Sequence, residues 1–312
     1  MRKTEGFTNT HCVMCGLAHP NDIAGRKRNL TILFCVIAAL ALFFLIVMAV
    51  DCNHFVVRKY RCSGRKLKKD GKVILLSDLH NKSFGKGNKK LLEAIYRIDP
   101  DMILIAGDMY TSAKGGDIQT ARELVCTLAK RYPVYYGNGN HEHKTRIFPE
   151  DFGNMYQAFA KDIHEAGVKH LINEKVYLPV FNMDIYGLEI EREYYGKFNR
   201  VQMESTYMEK LLGKPDKNRF SLLIAHNPDY FKTYAKWGAD LVVSGHVHGG
   251  LMRLPWFGGV LSPAIRFFPE YDGGEFKEGR STMILGRGLG THTLPIRIFN
   301  PGEVVVIELS QS

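Results

Sequence analysis

The chain has little cysteine, no internal repeat and no flexible seam, and each absence narrows what it can be. Six cysteines in 312 residues are too few for a disulfide scaffold. No fixed period recurs, which excludes collagen-like, coiled-coil and solenoid architectures. No Gly/Ser/Pro-rich stretch divides residues 55–312, so that part reads as one domain. Acidic residues are scarce only at one end. Residues 1–72 hold 13 Lys and Arg against 4 Asp and Glu, so totals of 42 and 32 leave 29 against 28 for residues 73–312. The formal charge of +10 therefore divides into +9 and +1. The large segment is nearly neutral, which disfavours nucleic acid as a partner. With 45% hydrophobic and 24% charged residues, the chain has the composition of a folded protein with a real core.

The basic end flanks an uncharged run. From Leu30 to Val50 only Thr31 is markedly polar. As a helix rising ~1.5 Å per residue, this run spans ~31 Å, one hydrocarbon core. A buried core helix is normally shorter and amphipathic. A cleaved signal has a shorter apolar region and a shorter polar leader. Asp51 before Cys52 argues against a lipoprotein cleavage site. The sequence thus predicts a tail over 1–29, one transmembrane helix over 30–50, a basic connection and first strand over 51–71, and a domain over 72–312. Arg26, Lys27 and Arg28 favour keeping the N-terminus inside the cell. Arg58, Lys59, Arg61, Arg65, Lys66, Lys68 and Lys69 count the other way, but several fall in the expected first strand, and large domains translocate regardless of charge. The two counts conflict, and the expectation taken is a domain outside the cytoplasm. In the tail, Cys12 and Cys15 with His11 and His19 could bind zinc, but one CxxC without a second pair is a weak signal, and a flexible cytoplasmic tail is the reading preferred.

Short apolar runs punctuate the rest. Lys72–Ser77 reads as a buried strand ending at Asp78-Leu79-His80. Met102–Ala106 ends at Gly107-Asp108, and Pro133–Tyr136 ends at Gly137-Asn138-Gly139-Asn140-His141-Glu142. Phe220–Ala225 ends at His226, and Asp240–Val243 ends at Gly245-His246-Val247-His248. Helical spacing covers Asn88–Ile98, Gln119–Leu128 and Phe152–Ala166. Strands over Met183–Glu189, Thr282–Gly286 and Val304–Leu309 complete an α/β pattern. In such folds sites gather outside the carboxyl ends of strands, and here those ends carry Asp78, His80, Asp108, Asn140, His141, His226, His246 and His248.

Singly these residues mean little: Asp-x-His is common in surface turns, Gly-Asp caps helices, and one histidine is usually a satisfied core group. Together, carboxylate, amide and imidazole groups suit a pair of borderline divalent metals such as Mn, Fe or Zn. The absence of cysteine from every cluster disfavours structural zinc. Two such ions lower the pKa of a shared water and neutralise phosphoryl charge.

The ordered set SDLH, GD, GNHE, AH and GHVH resembles the calcineurin-like metallophosphoesterases over residues 55–312. SGHVHGG followed by MRLP, and GRGLGTHTLPIRIFN near the end, look like the membrane-associated bacterial branch, which includes UDP-2,3-diacylglucosamine diphosphatases. The resemblance implies a four-layer α/β/β/α metallophosphoesterase sandwich preceded by one N-terminal transmembrane helix. It further implies that Asp78, His80 and His248 ligate one metal, that Asn140, His226 and His246 ligate the second, and that Asp108 bridges the pair. His141 would be a non-ligand acid/base facing the phosphoryl oxygen or leaving group. Within the doubled Asn-Gly-Asn-His, Asn140 aligns as the ligand and Asn138 as a turn residue, while Glu142 and His143 fall behind the ligands or on the surface.

The expected activity is hydrolysis of a phosphoester or pyrophosphate on a small-molecule or lipid-linked substrate. Nuclease action and a non-catalytic scaffold are the competing readings. Arg253, Arg266 and Arg287 are candidates for phosphate contact, beside the reading of ordinary surface arginines. Trp256, Phe257, Phe267, Phe268 and Tyr271 form either an apolar cap near the site or an ordinary core or dimer surface. His292 reads as a loop histidine.

Overall fold

A computed structural model describes residues 20–196, 201–254, 257–261, 267–291 and 294–312. His11, Cys12, Cys15, His19, Trp256, Arg266 and His292 lie outside the described residues. The chain divides between Ile46 and Val47 into an N-terminal unit and a large one. Helix α1 runs from Pro20 to Asp51, beginning ahead of the apolar run. Over residues 30–50 apolar side chains surround its circumference with no polar stripe, and Gly25–Asp51 is long and apolar enough to cross a membrane.

The large unit follows in order as β1 (Phe55–Ser63), β2 (Gly71–Leu76), α2 (Lys89–Ile98), β3 (Met102–Ala106), α3 (Gln119–Ala129) and β4 (Val134–Gly137). Then come α4 (Asn140–Ile147), α5 (Pro149–Phe152), α6 (Met155–Glu165), β5 (Lys169–Leu171), β6 (Glu174–Leu178) and β7 (Met183–Leu188). The remainder is α7 (Ser205–Leu212), β8 (Phe220–Ala225), α8 (Phe231–Trp237), β9 (Leu241–Ser244), β10 (Met252–Leu254), β11 (Gly258–Leu261), β12 (Gly274–Glu278), β13 (Ser281–Leu285) and β14 (Gly302–Ser310). The helix expected from Phe152 begins at Met155: Phe152 closes α5, and Gly153, at φ 62°, separates α5 from α6.

The strands form two six-stranded sheets, ordered β1-β14-β2-β3-β4-β5 and β12-β13-β9-β8-β7-β6. Alternation along each strand decides what lies between them. Val73 and Leu75 of β2 pack with Leu222, Ile224 and Val243 of the other sheet, forming the central core. Ile74 and Leu76, their neighbours in sequence, point outward to α2, α3 and α6. Leu223 and Val242 likewise face α7 and α8. Strands buried on both faces read as unbroken apolar runs, and each fully buried Val, Leu or Ile adds about 1.5–3 kcal/mol. The result is helix, sheet, sheet, helix: the four-layer α/β architecture with an apolar helix ahead of it.

Register also fixes the ends. β2, β3 and β4 are parallel, while β14 is antiparallel to β2 and parallel to β1, so Val305 pairs Leu75 and Phe55 pairs Gly302. The carboxyl end of β2 therefore lies at the same end of the sandwich as the first residue of β1.

Candidate metal centre

Each polar cluster sits where an apolar strand stops, and the backbone there leaves the ordinary regions. Asp78 (φ 50°), His80 (φ 46°), Asp108 (φ 53°), His246 (φ 76°) and His248 (φ 55°) are all left-handed. This conformation costs energy in non-glycine residues and gathers at functional sites. The loops brace one another: Asp78 N–H donates to Gly107 O at 3.0 Å and His80 N–H to Asp108 O at 3.1 Å. At Gly245 a β-carbon would collide with the Asp78 carboxylate, so glycine is what lets these two loops approach.

The side chains converge into three overlapping groups whose ligand atoms lie within 4.8 Å of one another: Asp78–His80–His248, His80–Asp108–His141 and Asp108–His226–His246. His80 Nε2 and His248 Nε2 face each other at 3.2 Å. His226 Nε2 lies 3.0 Å from Asp108 Oδ2 and 3.9 Å from Asp78 Oδ1. His226 Nδ1 donates to Ala106 O at 2.5 Å, and the Nδ1 atoms of His80 and His248 have Thr111 Oγ1 (3.1 Å) and Gly290 O (3.4 Å) as partners. With Nδ1 engaged in all three rings, Nε2 is the atom offered inward, as in histidine ligands oriented by a second hydrogen bond.

Burial makes the charges expensive. It raises the Asp78 pKa to about 6, helped by the neighbouring Asp108 charge and opposed by His226. Burial would raise Asp108 too, but His226, His141 and His80 outweigh it and hold that carboxyl well below its usual range. For His226 burial acts downward, and Asp108 and Asp78 overcome it to lift the ring to about 9.

The residues fit a cation. Asp78 Oδ2 and Asn140 Oδ1 are buried without a hydrogen-bond partner, and Asp108 Oδ2 and His226 Nε2 meet as an ion pair at 3.0 Å. Buried polar atoms are nearly always satisfied. Buried donors of this kind, in an oxygen- and imidazole-rich set, match what borderline divalent metals take.

His141 stands at the rim of this group. Its Nδ1 accepts the Ser112 N–H at 2.8 Å, with Ser112 Oγ at 2.7 Å. A backbone N–H only donates, so the neutral ring carries its proton on Nε2, 4.0 Å from Asp108 Oδ2. Burial lowers its pKa.

Glu142, next in sequence, is fully buried. Its carboxylate accepts the N–H groups of Asp108 (2.8 Å), Met109 (2.9 Å) and Gly139 (3.0 Å) and the Tyr136 hydroxyl (2.8 Å). It ties the turn after β3 to the start of α4, which carries Asn140 and His141. Glu142→Ala should strand these donors and destabilise the fold by about 4 kcal/mol, with Glu142→Gln losing less. Urea unfolding checks this, and a loss below ~1 kcal/mol for the alanine variant would remove Glu142 as the support of both turns.

Residues 71–250 match the family described as Calcineurin-like phosphoesterase. The chain belongs to that family. The metallophosphoesterase YkuE of Bacillus subtilis is 24% identical over 247 residues, covering 77% of this chain and 79% of the relative. A metallophosphoesterase of Helicobacter pylori strain J99 is 26% identical over 252 residues, 78% of this chain and 61% of its own length. The UDP-2,3-diacylglucosamine pyrophosphatase LpxG of Chlamydia muridarum is 23% identical over 284 residues, 76% of this chain and 82% of the relative. The protein is accordingly a metal-dependent phosphoester hydrolase by family.

Two arginines expected to touch phosphate have partners inside this phosphoesterase. Arg253 donates to Gly249 O (3.0 Å) and Asp272 O (2.7 Å) and pairs with the Asp272 carboxylate at 3.1 Å. Arg287 lies 3.2 Å from the buried Glu303. Spacing along the chain gave no sign that Asp272 and Glu303 would fold against them. Arg297, which the sequence reading passed over, is fully buried and donates to the carbonyls of Gly290, Arg287, Gly288 and Asn300. It pins the loop behind Asp78.

Asn138 does more than turn the chain. It is buried, donates to Glu189 at 2.7 Å and accepts from His170 Nε2 at 2.7 Å. Burial lowers the His170 pKa from 6.5 to about 4. The unfolded chain then binds a proton that the folded one refuses, so stability is full above pH ~6.5 and falls as pH drops towards 4. The loss amounts to about 2–3 kcal/mol. Thermal melts of the parent and His170→Gln between pH 7 and 4.5 should show a shallower acid dependence in the variant; parallel curves would remove His170 as the cause.

Proposed function

We propose that the protein is a membrane-anchored hydrolase with a two-metal centre, cleaving a phosphoester or pyrophosphate bond of a lipid-linked substrate similar to UDP-2,3-diacylglucosamine. The observation that carries this reading is the overlap of three ligand groups through Asp108 and His80. In it, Asp78, His80 and His248 hold one ion, Asn140, His226 and His246 hold the second, and Asp108 lies between them. The donor set, free of cysteine, suits Mn, Fe or Zn. When bound, such ions supply charge neutralisation and an acidified water. The chain's own contribution is to place these donors in a buried space and to aim the Nε2–H of His141 at a phosphoryl oxygen, where a preorganised donor in low dielectric is most effective. The expected substrate class rests on the relation to LpxG and on an anchor over residues 30–50, with residues 72–312 as the hydrolase domain.

Large domains translocate largely regardless of charge, so Arg65, Lys66, Lys68 and Lys69, like Arg58, Lys59 and Arg61 of β1, are given less weight than Arg26, Lys27 and Arg28, and the reading taken is a domain outside the cytoplasm. Protease accessibility in sealed vesicles of known sidedness tests this.

The activity is tested with the purified full chain in detergent. Metal analysis should give two ions per chain after loading with Mn, with turnover of bis(p-nitrophenyl) phosphate and release of UMP from UDP-2,3-diacylglucosamine. No turnover of either under Mn, Fe or Zn would leave the scaffold reading, and a preference for DNA would favour the nuclease.

A further inference from the structure

Outside α1, every exposed phenylalanine among the described residues lies in one stretch of sequence: Phe257 (73% exposed), Phe267 (71%), Phe268 (61%) and Phe299 (42%). Leu254 and Leu294 are exposed beside them in sequence. These positions belong to one small structure. β10 pairs with β11, Leu261 of β11 bridges to Phe267, and Met252 of β10 bridges to Ile298. Water does not favour such a grouping, and contiguous exposed apolar side chains mark an interaction surface.

Its place in the fold identifies the partner. The Asn300 carboxamide donates to His248 O and Gly250 O, both at 2.7 Å, so the aromatic structure is tied to the loop carrying His246 and His248. The same Asn300 donates its N–H to Asp51 Oδ2 at 2.8 Å, and Cys52 Sγ donates to Pro295 O at 3.4 Å. Asn53 accepts from Lys82 Nζ at 2.7 Å, just beyond His80. Asp51 directly follows the apolar run, and only residues 52–54 separate it from β1, a reach of about 10 Å. The loop carrying His246 and His248 and the small structure bearing the phenylalanines are therefore both tied to Asp51 and Cys52, which directly follow the apolar run. Aromatic side chains on loops tied to such a segment are suited to a bilayer interface.

We propose that Phe257, Phe267 and Phe268 insert into the lipid interface and seat the metal centre against the membrane surface, so that the phosphate it takes is one at headgroup depth on a lipid. This rests on reading residues 30–50 as a membrane span. A phosphate carried there by its own acyl chains reaches the ligands without leaving the leaflet, whereas a free anion must arrive from the side.

The test is photocrosslinking of the full chain, reconstituted in phosphatidylcholine–phosphatidylglycerol vesicles, with p-benzoylphenylalanine at position 257, 267 or 268 in turn. Val180, 63% exposed in the turn between β6 and β7 at the opposite end of the sandwich, is the negative position; Phe43, within the apolar run, is the positive one. Lipid adducts at the three loop positions should exceed those at 180 at least tenfold. Adducts at 43 with loop positions no higher than 180, or loop crosslinks to a second copy instead of lipid, overturn the proposal alone. No adduct at 43 overturns the membrane-span reading and this proposal with it. None of these readouts depends on catalysis, so failure of the hydrolase reading registers separately, in the turnover of bis(p-nitrophenyl) phosphate.

Discussion

Asp108→Asn is expected to lower turnover of bis(p-nitrophenyl) phosphate about 10³-fold and to reduce bound metal from two ions per chain towards one. The reasoning starts from what each oxygen does. Oδ1 accepts the His141 N–H at 2.8 Å, a bond that an asparagine oxygen can keep, so the turn and the fold survive. Oδ2 points into the ligand cluster, 3.0 Å from His226 Nε2 and 4.0 Å from His80 Nε2. An amide there presents hydrogens in place of a lone pair and removes a negative charge. In the proposed centre that carboxylate lies between the two ion positions, so its loss weakens both at once, where loss of a terminal histidine weakens one. Several kcal/mol of charge stabilisation is the scale at stake. Circular dichroism should stay near the parent's, with a lower melting temperature from the lost ion and the broken His226 pair. A variant that kept two ions and full turnover would remove Asp108 from the centre and the two-metal reading with it.

The strands that lead to the centre were legible because burial on both faces writes an uninterrupted apolar run, and because each run stops at glycine or at a residue able to bind metal. Lys72–Ser77 and Phe220–Ala225 are cases where periodicity and termination agree. The edge strands of the second sheet were not legible. Glu174–Leu178 and Gly274–Glu278 are mostly exposed or half-buried, so no apolar pattern marks them, and their pairing comes only from β7 and β13 beside them. Glu142 was undervalued for a related reason: a glutamate within a polar run looks solvated, and its burial is created by the two turns it joins. A local signal did exist, since Gly139 followed three residues later by a glutamate is a helix start of the kind that Glu142 closes through the Gly139 N–H. Nothing comparable announces Arg253 and Arg287. Their partners are 19 and 16 residues away, at Asp272 and Glu303, and only the folding of the loops after β9 and β13 brings them together.

His141→Ala should lower turnover by about 10²–10³ while leaving metal content unchanged, because the ring lies beside the ligand atoms without being needed to fill either proposed ion position. The more informative comparison is between leaving groups. Ser112 donates to Nδ1, which commits the neutral ring to a proton on Nε2. A ring in that state can donate a hydrogen bond to a non-bridging phosphoryl oxygen without giving up its proton. Protonating a leaving alkoxide would demand either an anionic imidazole afterwards or an imidazolium beforehand, and the second requires breaking the Ser112 bond inside a buried pocket. Loss of a hydrogen-bond donor affects all substrates alike, whereas loss of a general acid spares those whose leaving group departs as a stabilised phenolate. The alanine variant should therefore lose the same factor on bis(p-nitrophenyl) phosphate as on a substrate with an alkyl leaving group. His141→Gln, which keeps an N–H donor, should recover about tenfold of the loss on both. A deficit confined to the alkyl substrate, with no recovery by glutamine, would reverse the assignment and make His141 the acid, with the Ser112 contact giving way during the reaction.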